Sequence, residues 1–364
     1  MRIFHINQPK AIPIPNSKFD ERDTMFARMA RMPNTNAYDR YYSNNPDLKK
    51  KDDNIRSLPP LLSPKGKYYN MDYFEQAQKL FDSIEDISID RRVIENYVKL
   101  FRNDKSDAQV IKQIAIELGA VSVGCTNLEE MFIYSHKGRF DNGYGEAIKL
   151  EHQSVLVFLV EMDFERMSQA PKASTIFESA NQYYRAAVIA KTLEAIILKL
   201  GYDAKAHYDA HYDIILPPFA VQAGLGELGR NNILIADKFG SRVRIGAVTS
   251  NINLDFDSPI NIGAEQFCKV CKKCATSCPT KALSVNGKSL LRGIEKWTTN
   301  VENCYSIWRF YGTDCGICMA VCPFSHRNNW FHYLIRKVVK FFPIFNRILL
   351  FFDELIYGKK WRIK

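Results

Sequence analysis

Apolar residues first recur at a helical spacing from Met71 onward. Tyr73, Ala77, Leu80 and Phe81 form one stripe, Ile94, Val98 and Leu100 a second, and Val110, Ile114 and Leu118 a third that Gly119 closes as a helix C-cap. The period then changes. AVSVGCT (120–126) reads as a short buried strand, and SVLVFLVEM (154–162) as a longer one rich in β-branched and aromatic residues. Ala187, Ala190, Leu193, Ile197 and Leu200 line one face of a long helix over 176–200, ended by Gly201, and Ile233 to Ala236 and Val243 to Val248 read as strands separated by a Phe239-Gly240 turn. Strands alternating with helices over 71–255 predict an α/β (α+β) core domain.

The flanks carry different patterns. Eight of the 15 prolines lie in the first 64 residues, with the charged run Lys49 to Asp53 just before Pro59-Pro60, so 1–70 is expected to be mostly extended chain draped over the rest. At the other end, WFHYLIRKVVKFFPIFNRILLFF (330–352) is apolar but broken by Arg336, Lys337, Lys340, Pro343 and Arg347. Four cations would have to sit in the bilayer interior, so this is read as a basic amphipathic helix pair, 330–364 in all, suited to a membrane surface or membrane-anchor partner, or to packing on the core.

Composition adds only class. The 364 residues are 46% hydrophobic and 25% charged, which excludes a disulfide miniprotein, a collagen-like chain and wholesale disorder. The net charge of +10 suggests nucleic acid until it is located: 327–364 hold nine Lys/Arg against Asp353 and Glu354, and the rest is nearly balanced. MRIFHINQPK has neither an apolar signal core nor a twin-arginine pair, so the expected location is cytoplasmic, or peripheral on the inner membrane face.

The cysteines change the picture. Eight of nine fall between Cys268 and Cys322, and clustered thiols in a reducing compartment bind metal more often than they pair. Cys268, Cys271, Cys274 and Cys278-Pro279 follow C-x2-C-x2-C-x3-C-P, and Cys304, Cys315, Cys318 and Cys322-Pro323 repeat it with a longer first interval. This is the run of bacterial 4Fe–4S ferredoxins, in which the fourth cysteine ligates the other cluster. It predicts one cluster on Cys268, Cys271, Cys274 and Cys322, and a second on Cys304, Cys315, Cys318 and Cys278. Paired zinc sites are the competing reading of C-x2-C, but runs ending in C-P argue against them. Cys125, near a strand end, reads as an inert core thiol. The two clusters would occupy a ferredoxin-like domain over 256–329.

Beyond the cysteines, FDERDTMFARM (19–29), LGYDA (200–204), AGLGELGR (223–230), FGSRVRIGAVTS (239–250) and KWTTNVENCYSIWRFYGTDCGICMAVCPFSH (296–326) resemble reductive dehalogenases, which are corrinoid and iron–sulfur enzymes. The resemblance implies a cobalamin-binding core of nitroreductase-like type over 71–255, followed by the ferredoxin-like domain. It further implies a base-off corrinoid, an organohalide substrate and a low-potential donor such as a ferredoxin or flavodoxin. No D-x-H-x-x-G signature is present, since Ile214 stands where glycine is required after Asp209 and His211, so no lower histidine ligand is implied.

The same resemblance implies the site. Counting from Tyr202 of LGY places the proton-donating tyrosine at Tyr183, with Tyr184 beside it. Its basic partner falls on Arg242 by gapless counting, with Arg244 adjacent. The position where the family carries asparagine is Asp209, a departure toward epoxyqueuosine reductases, which place a catalytic aspartate in that region. Gly224, Gly226 and Gly229 match G-x-G-x-x-G by letter, but a strand follows at once, so these glycines and Arg230 are expected at the corrinoid, not at a dinucleotide. Two other functions stay open: tRNA epoxyqueuosine reduction, and electron transfer by a corrinoid-free iron–sulfur protein.

Overall fold

The computed structural model describes residues 10–102 and 106–363, so the leader argument drawn from the first nine residues lies outside it. The N-terminal stretch is helical where extended chain was expected: α1 (Met25–Ala30), α2 (Asn36–Asn44) and α3 (Pro46–Arg56). Thr24 and Thr35 cap the first two through their hydroxyls, and Pro46 occupies the first turn of the third. A proline there loses no hydrogen bond, so it starts a helix instead of breaking one. The segment still drapes. Arg28 pairs in the interior with Asp52 and reaches Glu302 at 2.8 Å, while the backbone of Leu62 and Tyr68 bonds to Gly312 and Tyr311.

The core begins with α4 (Met71–Ser83), α5 (Arg91–Val98) and α6 (Asp107–Glu117), then β1 (Ser122–Asn127), β2 (Ser154–Glu161), the short α7 (Phe164–Met167), the long α8 (Ala173–Lys199), β3 (Ala204–His207) and α9 (Leu216–Gln222). A small hairpin of β4 (Glu227–Leu228) and β5 (Leu234–Ile235) follows, then β6 (Val243–Ser250). Four strands form one antiparallel sheet in the order β1-β2-β6-β3. The strand expected at Ile233 to Ala236 is therefore part of a separate hairpin.

Central strand β2 is buried along nearly its whole length because both faces are covered, which is why it reads as an unbroken apolar run. Leu156, Phe158 and Val160 face α6 and α8, while Val155, Val157 and Leu159 face α9 and Phe132. Gly246 stands opposite Phe158, where a Cβ would lie 2.4 Å from the ring. Cys125 is fully buried and its thiol is pushed up to about 12 by that burial.

The cysteine region contains α10 (Ala264–Cys271), α11 (Lys273–Ser277), the hairpin β7 (Ser289–Leu291) with β8 (Ile294–Lys296), α12 (Val301–Tyr311) and α13 (Ile317–Ala320). The chain ends in a helical hairpin, α14 (Trp330–Phe341) and α15 (Asn346–Tyr357), turned at Pro343. Its inner face, with Ile335, Val339, Leu349 and Leu350, packs on Phe267 and Phe324. Asp353 anchors it by pairing with Lys273 and His326. No helix among the described residues is long and apolar enough to cross a membrane.

Candidate functional site

The eight clustered thiols are all free, and they fall into two groups. Burial raises the Cys268 thiol most, and Cys322 and Cys274 add to it; Cys271 likewise feels Cys268 and Cys322. Cys304 responds to Cys278, and Cys315 to both Cys304 and Cys278. Each run's last cysteine thus lies in the field of the other run's first three, and Cys318 also feels Cys274 across the two groups. Lys272, in the left-handed region at φ 56°, lets the backbone turn sharply between Cys271 and Cys274. No three His, Cys, Asp or Glu side chains among the described residues close around one point as a single ion requires.

Tyr183 lies on the sheet-facing side of α8, and burial holds its phenol well above the ordinary tyrosine value. Arg244 opposes this from β6, its guanidinium 4.6 Å from the ring centroid. Arg244 donates to Ser179 Oγ at 2.5 Å and pairs with Asp314 at 3.1 Å. Burial disfavours the Arg244 charge, but Tyr183, Asp314 and Asp209 outweigh it and raise its pKa.

Arg242, expected at this position, is placed elsewhere. It donates to Ser325 O at 2.8 Å and Met162 O at 2.5 Å and pairs with Glu161 at 3.1 Å, which ties the sheet to the end of the cysteine region. Both arginines project from the same face because strand residues two apart do so. Arg244 alone of the two bonds to α8, although Arg242 is the more buried.

Asp209 sits in a tight turn between Tyr208 and His211, followed by Ala210 in the left-handed region at φ 62°. Its carboxyl is raised by burial, with Arg139 and Arg244 opposing. A cleft lined by Lys137, Arg139, Phe140, Tyr208, His211 and Tyr212 reaches this turn from solvent. His207 lies on the core side, bonded to Thr249 at 2.8 Å and accepting from the Asp213 amide, with its pKa lowered to about 3 by burial.

The glycines meet protein. A Cβ on Gly226 would lie 2.2 Å from the Ile235 carbonyl, and one on Gly224 2.6 Å from that of Ser258. Arg230 is buried at the first thiol group, donating to the carbonyls of Cys268, Ser284 and Asn286 and stacking on Trp297. Tyr184 shows no contact to Arg244 comparable to that of Tyr183.

The donor set suits iron–sulfur clusters: two groups of four free thiols, buried or half-buried, with soft sulfur as ligand. Tyr183, Asp209 and Arg244 lie deep yet keep accessible surface, so they line an interior space. Arg244 Nε is buried beside Tyr183 without a hydrogen-bond partner, a spare donor at this polar group. Asp314, Arg139 and Tyr212 were not found from sequence. Asp314 stands beside Cys315, where the adjacent cysteine pattern supplies the only local signal.

Residues 267–326 match the 4Fe–4S dicluster domain model. The tetrachloroethene reductive dehalogenase of Desulfitobacterium hafniense is 33% identical over 234 residues, 61% of this chain and 42% of that protein. That of Sulfurospirillum multivorans is 32% identical over 58% of this chain and 43% of its own length. The epoxyqueuosine reductase of Lactococcus garvieae is 29% identical over 40% of this chain and 41% of that protein. The solved catabolic reductive dehalogenase NpRdhA, in complex with 3-bromo-4-hydroxybenzoic acid, superposes with a TM-score of 0.73 at 23% identity, covering 98% of this chain and 49% of that one, and so shares its fold. The chain spans less than half the length of the curated reductive dehalogenases it matches. It is a homologue of the reductive dehalogenases and a relative of the epoxyqueuosine reductases.

Proposed function

We propose that this protein is a cobalamin-dependent reductase of the reductive dehalogenase type, with two 4Fe–4S clusters and an organohalide substrate. The placement of Arg244 over Tyr183 at the lining of an interior space carries this reading. Cys268, Cys271, Cys274 and Cys322 would hold one cluster and Cys304, Cys315, Cys318 and Cys278 the other. The base-off corrinoid would lie in a nitroreductase-like core, with Gly224, Gly226, Gly229 and Arg230 shaping the neighbouring backbone. When bound, the clusters would supply single electrons and the corrinoid the two-electron reduction of the carbon–halogen bond.

The chain's own part is proton delivery. Burial keeps the Tyr183 phenol protonated at neutral pH, so a proton is held at Oη in a space that excludes bulk water. Once that proton leaves, Arg244 supports the phenolate, and Asp314 and Ser179 hold Arg244 in place. Arg242 braces the sheet against the cysteine region.

Asp209 favours a second reading. Its raised carboxyl is itself a competent acid, as an epoxyqueuosine-type reductase would use. A corrinoid-free electron-transfer protein is the third. Low-potential donors such as a ferredoxin or flavodoxin fit any of them. The outer face of the α14–α15 hairpin exposes Trp330, Ile344 and Leu355 among Lys340, Arg347 and Lys359, and is read as the surface for an anionic membrane or its anchor protein.

Anaerobic reconstitution with cobalamin, followed by iron, sulfide and cobalt analysis and by halide release from tetrachloroethene and 3-bromo-4-hydroxybenzoic acid, tests the proposal. About eight iron per chain with bound cobalt is expected. Stoichiometric zinc, or iron without cobalt, contradicts it.

A further inference from the structure

Thr175, Ser179 and Tyr183 follow one another at one-turn spacing along α8 and share a face. The loop that carries Cys315 docks on this stripe. A Cβ on Gly316 would lie 2.8 Å from the Thr175 methyl carbon, and Thr313 donates its hydroxyl to Pro171 O at 3.2 Å, just ahead of α8. Between these contacts, Asp314 turns inward. Its Oδ2 accepts from both Ser179 and Arg244, and Arg244 covers Tyr183.

Taking Tyr183 as the proton donor, we propose that Asp314 is a positioning residue: it fixes Arg244 over Tyr183, so that the loop bearing the second thiol group sets the geometry and field of proton delivery. Asp314 is the residue bonded directly to Cys315 along the chain, so docking of that loop and placement of the guanidinium are one event. A carboxylate serving only to tie loop to helix needs the Ser179 hydroxyl alone. Sharing the same oxygen with Arg244 directs the tie at the tyrosine.

The groups facing Tyr183 are Arg244 from β6, Asp314 from the cysteine loop, Asp209 and Tyr212 from the turn after β3, and the Phe81 ring of α4. Among them Arg244 favours the phenolate, while Asp314 and Asp209 disfavour it. Asp314→Asn keeps an oxygen for Ser179 and Arg244 but removes the charge.

The test uses the full reconstituted chain. In Asp314→Asn, iron content should stay at the wild-type level while the alkaline limb of kcat/KM moves down by about one pH unit. An ultraviolet difference titration, taken against the same protein carrying Tyr183→Phe, should show the same shift in the phenol without reference to turnover. Ser179→Ala, which loosens Asp314 while leaving every residue of the cysteine loop unchanged, should lower turnover several-fold and covers the case in which Asp314→Asn loses iron. Wild-type titration in Asp314→Asn, or wild-type turnover in Ser179→Ala, overturns the proposal. If either occurs while Tyr183→Phe is inactive, the proton-donor reading stands alone; wild-type turnover in Tyr183→Phe removes that reading itself.

Discussion

The Arg244 guanidinium lies 4.6 Å from the centroid of the Tyr183 ring, and both side chains sit deep between α8 and β6. Burial keeps the phenol protonated, and the cation awaits the charge that proton loss would create. Removing either partner should therefore damage the same step. Arg244→Gln combined with Tyr183→Phe is expected to cost much less than the product of the two single losses in kcat/KM. Multiplicative losses would show that the two side chains act separately.

The two thiol groups make a crossed prediction. Cys322 neighbours Cys268, Cys271 and Cys274, while Cys278 neighbours Cys304 and Cys315. Cys322→Ala should thus perturb the cluster of the first run and Cys278→Ala that of the second, as read by low-temperature electron paramagnetic resonance. Damage confined to each cysteine's own run would refute the crossing.

His207 makes a prediction about acid. Its folded-state pKa, lowered to about 3, lies below the ordinary histidine value, so the folded protein binds fewer protons than the unfolded chain between the two. Its stability contribution is present above about pH 6.5 and is lost as pH falls toward 3, by up to ~1.4 kcal/mol per pH unit. His207→Asn should flatten this slope in Tm measured from pH 7 to pH 4. An unchanged slope would assign the acid sensitivity to other groups.

Legibility tracked how much of the signal is local. The α8 stripe and the β2 run could be read because burial on a face leaves a periodic trace. The proposed crossed ligation comes from ligand spacing, which is a local signal. Choosing between Arg242 and Arg244 could not, because a strand places both on one face and only the packing of α8 separates them. The many prolines of 1–70 suggested extended chain, yet Pro46 starts a helix, since position within the first turn decides a proline's effect. β3 is too short to show a pattern, and Asp314 gains its role from Ser179, 135 residues away.

The C-terminal hairpin has one face on the cysteine region and one facing out. Ile344 and Leu355 are 76% and 71% exposed, beside basic residues. Ile344→Glu with Leu355→Glu should leave iron content intact and weaken cosedimentation with anionic phosphatidylserine vesicles, since both apolar insertion and electrostatic attraction decline. Binding equal to wild type would remove the membrane reading of this face.

The most direct measurement compares organohalide reduction by wild-type and Tyr183→Phe protein, reconstituted anaerobically and matched for cobalt, iron and sulfide. Loss of the hydroxyl alone should slow halide release by ~10²-fold or more, the scale of a positioned general acid, with cluster and corrinoid spectra unchanged. Undiminished release in Tyr183→Phe, with collapse in Asp209→Asn, would contradict Tyr183 as the acid and place the proton on Asp209.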